Sequence, residues 1–140
     1  MGPVAAVKSC LSNYVTFSGR APRSEFWFFT LFSILSGIVA AIIDNILGTA
    51  YQMPLPNGTT LHAGYGYIYT LWALLLVLPS ISVIVRRLHD RERSGWWFWL
   101  YLIPIVGAIW LLVWFCMRGA QGDNRYGPDP LTAMPGANAV

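Results

Sequence analysis

Polar and apolar positions fall in blocks along this chain. Three runs, 26–43, 65–85 and 96–117, contain no Asp, Glu, Lys, Arg or His. A hydrocarbon slab of roughly 30 Å requires about 20 apolar residues in a helix, and about 18 suffice for a candidate. Each run reaches that length, so the pattern predicts an all-α, polytopic membrane protein with three apolar helical segments. A milder pattern precedes them. Val4, Val7, Leu11, Tyr14 and Val15 recur at helical spacing with Cys10 alongside, while Lys8, Ser9, Ser12 and Asn13 lie off the stripe. This predicts a short amphipathic helix, lying in the interface or packed on the bundle.

The segments between the runs punctuate them. Gly19 and Pro22 end the first helix. Ser24, or the corner at 22–24, caps the next, and Glu25 suits the positive end of its dipole. Phe26, Trp27, Phe28 and Phe29 supply rings for a lipid–water boundary. Asp44 and Asn45 mark the aqueous limit of the first run. Residues 48–66 read as a turn-rich loop, with Pro54, Pro56, Asn57-Gly58 and Gly64. Pro79 falls inside the second run, where Ser80 and Ser82 can satisfy the carbonyl it frees. The loop 86–95 is densely charged, and Trp96 to Trp99 form an interfacial anchor. One membrane-embedded domain over 1–130 is expected, followed by a flexible tail at 131–140.

Composition agrees with this reading. Of 140 residues, 56% are hydrophobic and 11% charged, with mean hydropathy +0.52; a soluble domain carries about 25% charged residues. The net charge of +3 and pI near 9.1 arise from arginines beside the apolar runs. They point to anionic headgroups rather than nucleic acid. Cys10 and Cys116 have no CxxC spacing and read as small buried hydrophobes. No cleavable leader is expected in the first 25 residues. Ala6 breaks the myristoylation pattern begun by Gly2, and the sequon at 57–59 is read as accidental.

Charge also assigns sides. Lys8, Arg20 and Arg23 precede the first run, the loop after it has no Lys or Arg, and Arg86, Arg87, Arg91 and Arg93 follow the second. The positive-inside rule then puts the N-terminus and 86–95 in the cytoplasm and 44–64 on the other side. The third run has two readings. Its length favours a full span, which would carry Arg118 and Arg125 outward. Its centre, Pro104-Ile105-Val106-Gly107, also permits a reversal into a hairpin of two short helices.

Three groups of residues carry potential chemistry. In Arg86-Arg87-Leu88-His89-Asp90-Arg91, two arginines can clamp a phosphate, and His89 with Asp90 can form an oriented base. The simpler reading is structural, since arginines at a helix C-terminus complement the dipole and reach headgroups. In the second group, Arg20, Arg23 and Glu25 share a side with the first. Arg86 or Arg87 can pair with Glu25, and Arg20 or Arg23 with Asp90. In the third, residues 122–130 read as a compact turn bearing Asn124, Arg125, Tyr126 and Asp129. Its oxygens, Asp123 included, lack EF-hand spacing, and no metal or other cofactor is expected. The spans lack the ionisable residues of proton and ion pathways, and no nucleotide loop, HExxH or nucleophile motif occurs.

The stretches 17–27, 86–97 and 122–130, in that order and spacing, resemble a family of small bacterial inner-membrane proteins known as domain of unknown function 805. The resemblance covers roughly 14–130. It implies a bacterial inner membrane and a small helical bundle, with no activity, substrate or cofactor to transfer. The charged Arg91-Glu92-Arg93 and the Pro-rich loop depart from the family pattern. If the three motifs form one site, the tail must return to the cytoplasm. The expectation is therefore a non-enzymatic accessory or interaction protein whose arginines contact anionic lipid, with a membrane-protein partner or second copy. The alternative is an enzyme or carrier acting on a phosphorylated lipid headgroup through His89 and Asp90. A pore built from several copies is weakened by the uncharged spans.

Overall fold

The computed structural model describes residues 2–132. The expected flexible tail lies, from residue 133 onward, outside the described residues. The elements are α1 (Pro3–Ser12), α2 (Arg23–Leu47), β1 (Ala50–Pro54), β2 (Thr60–Gly66), α3 (Tyr67–Asp90), a 3₁₀ helix (Gly95–Leu102) and α4 (Val106–Cys116). They form two compact units, one of Met1–Thr30 with Pro79–Val140 and the other of Leu31–Leu78.

Two helices, α2 and α3, are long and apolar enough to cross a membrane. Only 22% of the apolar window of each is buried, whereas the core helix of a soluble protein would be mostly covered. Leu31, Ile34, Leu35, Ile38 and Ile42 all point outward. In hydrocarbon an unpaired backbone group costs several kcal/mol, which forces these stretches into helix.

The unit Leu31–Leu78 corrects the all-α expectation. Residues 48–66 are not a plain loop. β1 and β2 pair antiparallel, with Gln52 opposite His62 and Pro54 opposite Thr60. The turn closes through Leu55 N–H to Thr59 O at 2.8 Å, and Asn57 Oδ1 accepts from Thr59 N–H at 3.0 Å. The strands are largely exposed and carry no alternation that would mark them in sequence. Tyr65 and Gly66 belong to β2, so the second helix starts at Tyr67. Trp72 Nε1 donates to Ser36 Oγ at 2.8 Å, a polar contact of the sort that joins helices in lipid, where apolar burial gives little net drive.

The other unit corrects the favoured full span for the third run. The run breaks into the 3₁₀ helix and α4. Ser94 caps the first, accepting from Trp96 N–H at 3.3 Å. Pro104 has no N–H to continue a ladder, and Ile105 takes φ 63°, a conformation costly for a β-branched residue. Gly107 then passes so close to Leu100 that a Cβ would overlap its carbonyl oxygen. Eight 3₁₀ residues reach about 16 Å and eleven α residues about 16 Å, so neither arm alone covers roughly 30 Å. The run begins near Val85, which a Cβ on Gly95 would touch, and ends at Met117, whose carbonyl accepts from Arg87 Nη2. It leaves the end of α3 and comes back to it.

Pro79 is buried in α3. Ser82 does not serve the proline-freed carbonyl as expected. Its hydroxyl faces the Asn13 and Thr16 carbonyls at 2.9 and 2.6 Å, fastening the end of α1. Ser24 falls inside the first turn of α2, and the carbonyl of Pro22 accepts from Phe26 N–H at 3.3 Å. The core around these contacts includes Ala6, Cys10, Phe26, Phe29, Val83, Leu88, Leu111 and Phe115.

Candidate functional site

The last turn of α3 carries Arg86, Arg87, His89 and Asp90, all buried. Helical spacing sends Arg86 and Arg87 in different directions. Arg86 Nη1 meets Glu25 Oε1 at 2.7 Å. That oxygen also accepts from Ser9 Oγ at 3.1 Å and faces Cys10 Sγ at 3.4 Å. Burial first, and the Glu25 charge second, push the Cys10 thiol up to about 12. Nε and Nη2 of Arg86 have no hydrogen-bonding partner among the described residues.

Arg87 has no exposed surface. Its Nη1 meets Asp90 Oδ2 at 2.5 Å. Its other nitrogens cap α4: Nε and Nη2 donate to Phe115 O at 3.3 and 3.1 Å, and Nη2 also reaches Met117 O. The last carbonyls of a helix lack intrahelical partners, and a guanidinium with five N–H groups suits them.

Arg20 supplies the other half. The turn at Gly19 presents it, and Ala21 N–H donates to Arg86 O at 3.0 Å. Nη2 and Nε of Arg20 hold Asp90 Oδ1 at 2.9 and 3.0 Å. Nη1 donates to Gly122 O at 2.6 Å, and Nη2 to Ala120 O at 2.5 Å. Asp90 also accepts through its backbone carbonyl from Ala120 N–H at 2.6 Å. At Gly119 a Cβ would overlap the Asp90 carboxylate, so only glycine lets the tail pass there.

The tail motif folds onto this centre. Asn124 and Gly127 exchange backbone hydrogen bonds at 3.1 and 3.0 Å. Asn124 Oδ1 accepts from Tyr126 N–H at 2.9 Å, and its Nδ2 donates to His89 O at 3.1 Å. The Tyr126 ring stacks on His89 at 4.0 Å, with planes 4° apart, and the Arg125 guanidinium lies 4.8 Å from the centroid of the Tyr126 ring. His89 Nδ1 lies 3.0 Å from Gly19 O. A carbonyl only accepts, so Nδ1 carries the proton. Asp129 accepts from Gly122 and Leu131 N–H at 2.9 and 3.0 Å. Burial would raise its carboxyl, but these amides and nearby Arg20 and Arg118 outweigh that and hold it below the ordinary value.

The structure thus brings Arg20, Glu25, Arg86, Arg87, His89, Asp90, Asn124, Tyr126 and Asp129 together. Arg23 stays outside, exposed, with Nη1 on Cys116 O at 3.3 Å. Chemically the centre holds charges in place. Both Asp90 oxygens are taken by buried arginines, and His89 is stacked and bonded. Sequence reading missed Asp44, whose buried carboxylate accepts from Gly66, Ile68 and Tyr69 N–H at 2.9, 3.0 and 2.8 Å and from Thr49 Oγ1 at 2.5 Å. The available signal was a lone acid directly after an apolar run.

Two largely exposed apolar helices and a buried polar knot fit a helical membrane protein. The chain belongs to the family described as Protein of unknown function (DUF805), whose model matches residues 14–128. It is 43% identical over 122 residues to Inner membrane protein YhaI of Escherichia coli K12, covering 87% of this chain and 92% of the relative. Inner membrane protein YhaH of the same strain is 42% identical over 120 residues, covering 86% and 91%. Uncharacterized protein YiiR is 28% identical over 139 residues, covering 81% and 85%. No solved structure matches the chain. With these relatives the chain is a bacterial inner-membrane protein of unknown molecular function.

Proposed function

We propose that this protein is a non-enzymatic accessory or interaction protein that presents a rigid polar platform on the cytoplasmic face of the inner membrane. One observation carries the reading. Asp90, the strongest candidate for acid–base work, has each oxygen held by a different buried arginine, and the same arginines hold the backbone of the tail and of α4. The chain itself supplies the partners that hold these groups in place. Arg20 and Arg87 are engaged within the knot and Arg86 is buried against Glu25, with its Nε and Nη2 unpartnered among the described residues, so contact with anionic headgroups falls to the outer cations Lys8, Arg23, Arg93, Arg118 and Arg125. A platform of this kind suits a second copy or another membrane protein as partner. Charge supports the side. With the third run returning on itself, all nine Lys and Arg residues flank one membrane face, as the positive-inside rule requires.

The enzyme alternative through His89 and Asp90 is separable by experiment. Asp90→Ala leaves two buried guanidinium groups without their carboxylate, a loss on the order of 3–5 kcal/mol for a buried pair. The expected result is lower membrane abundance and a tail that limited proteolysis clips after Arg118. His89→Ala is expected to loosen the tail to a smaller degree. Variants that keep wild-type abundance, thermal stability and tail protection would overturn the platform.

A further inference from the structure

The cations outside the knot converge on the end of α4. Arg23 Nη1 donates to Cys116 O at 3.3 Å, and Arg91 Nη1 to Arg118 O at 2.7 Å, with Arg91 Nη2 3.6 Å from Met117 Sδ. Arg93 lies 4.9 Å over the Trp114 ring and 5.9 Å over Trp97. Residues of this stretch line two concavities. A cavity of about 260 Å³ is lined by Arg23, Ser24, Arg87, Asp90 and Arg118, among others. Its lining holds three arginines and one carboxylate; Arg20 also pairs with that carboxylate, and Asp129 lies near Arg20 and Arg118. The first turn of α2 adds the positive end of a helix dipole. The second concavity, about 450 Å³, is apolar and runs along α4 between Val106, Ile109, Trp110, Val113, Trp114 and Met117. Met117 lines the groove and the next residue, Arg118, lines the cavity.

We propose that this end of α4 binds one anionic phospholipid, its phosphate in the Arg23–Arg118 cavity and an acyl chain along the Val106–Met117 groove. The groove residues recur every three or four positions, a stripe about 16 Å long, the form of an extended chain rather than of a globular partner. The cavity is smaller than the roughly 300 Å³ of the smallest drug-sized pockets and fits a phosphate-sized group. Arginine rather than lysine at its mouth suits the paired oxygens of a phosphodiester. The proposal rests on the platform reading only in needing this face at the membrane surface.

The test uses the full chain purified in neutral detergent, with native mass spectrometry of bound lipid. Phosphatidylglycerol, phosphatidylcholine of the same chains, and inorganic phosphate are compared. Phosphatidylglycerol is expected to be retained roughly thirtyfold better than phosphatidylcholine, the ratio that about 1 kcal/mol for each of two arginines at a lipid surface gives. Inorganic phosphate is expected not to displace it. The Arg23→Ala/Arg118→Ala double variant, and Arg118→Glu alone at an exposed position, should abolish the preference without lowering the unfolding temperature measured in detergent alone. Trp110→Ala should weaken retention while keeping the preference. Equal retention of the two lipids, displacement by phosphate, a second copy occupying the groove, or a preference that survives Arg118→Glu would each overturn the site. A protected tail with no lipid preference sinks this site alone, whereas an unprotected tail in the wild type sinks the platform.

Discussion

Glu25 concentrates three donors on one oxygen: Arg86 at 2.7 Å, Ser9 at 3.1 Å and Cys10 at 3.4 Å. Only Arg86 brings a full positive charge. The thiol is therefore held between burial and a carboxylate, both of which oppose thiolate formation. The folded protein keeps it protonated up to about 12, against an ordinary 9.0. The sign follows from linkage. A raised folded value contributes stability that is complete below pH 9 and is lost as pH rises from about 9 to about 12. Cys10→Ala is expected to flatten the fall of the unfolding temperature across that window while leaving the acid side unchanged. A variant whose alkaline fall parallels the wild type would show that Cys10 does not titrate with folding. The same burial predicts that Cys10 resists maleimide at pH 8 until the protein is denatured.

Among the elements, α3 is fixed at both termini by side chains from elsewhere in the chain. Asp44, in the last turn of α2, accepts from the backbone N–H groups of Ile68 and Tyr69 in the first turn of α3 and of Gly66 before it. A carboxylate at a helix N-terminus answers both the orphan donors and the dipole. Asp44→Ala leaves three amides and the Thr49 hydroxyl without that acceptor. The expected effect in detergent is an unfolding temperature lower by roughly 5 °C or more, with faster proteolysis between residues 48 and 66. Asp44→Asn, which keeps an acceptor oxygen, should fall between. Unchanged protease resistance in Asp44→Ala would remove the cap from the account. The two long helices were legible in sequence because lipid imposes length and apolarity on every residue of a span. The β-hairpin was not, because its strands are exposed and its pairing depends on turn geometry at Asn57-Gly58 rather than on alternation. The carboxylates and arginines of the knot were legible as a group by their shared side. The roles of Gly119, Ser82 and the Phe115 and Met117 carbonyls were not, since backbone acceptors and the space for a missing Cβ leave no mark in composition.

For the whole molecule the decisive feature is the fate of the third apolar run. A run of 22 residues without a charge satisfies any length criterion for a span, and length alone cannot distinguish a span from a chain that turns at its middle. The turn depends on three local properties: the missing N–H of Pro104, the φ of 63° at Ile105 and the closeness of Gly107 to Leu100. Arg87 then holds the far end by its carbonyls, and Arg20 holds the tail that follows. If α2 and α3 are the spans, residues 118–132 share a membrane face with Arg20, and 48–66 lie on the other. Fusions test this directly. Green fluorescent protein after residue 132 is expected to fluoresce, and alkaline phosphatase at the same place to be inactive. Alkaline phosphatase inserted at Asn57 is expected to be active. Phosphatase activity after residue 132 would restore a third span and separate the tail from Arg20 and Asp90. Gly107→Val gives an independent check on the turn. Its side chain meets the Leu100 carbonyl, so it should expose the tail to protease even though it makes the run more apolar and, by composition alone, a better span.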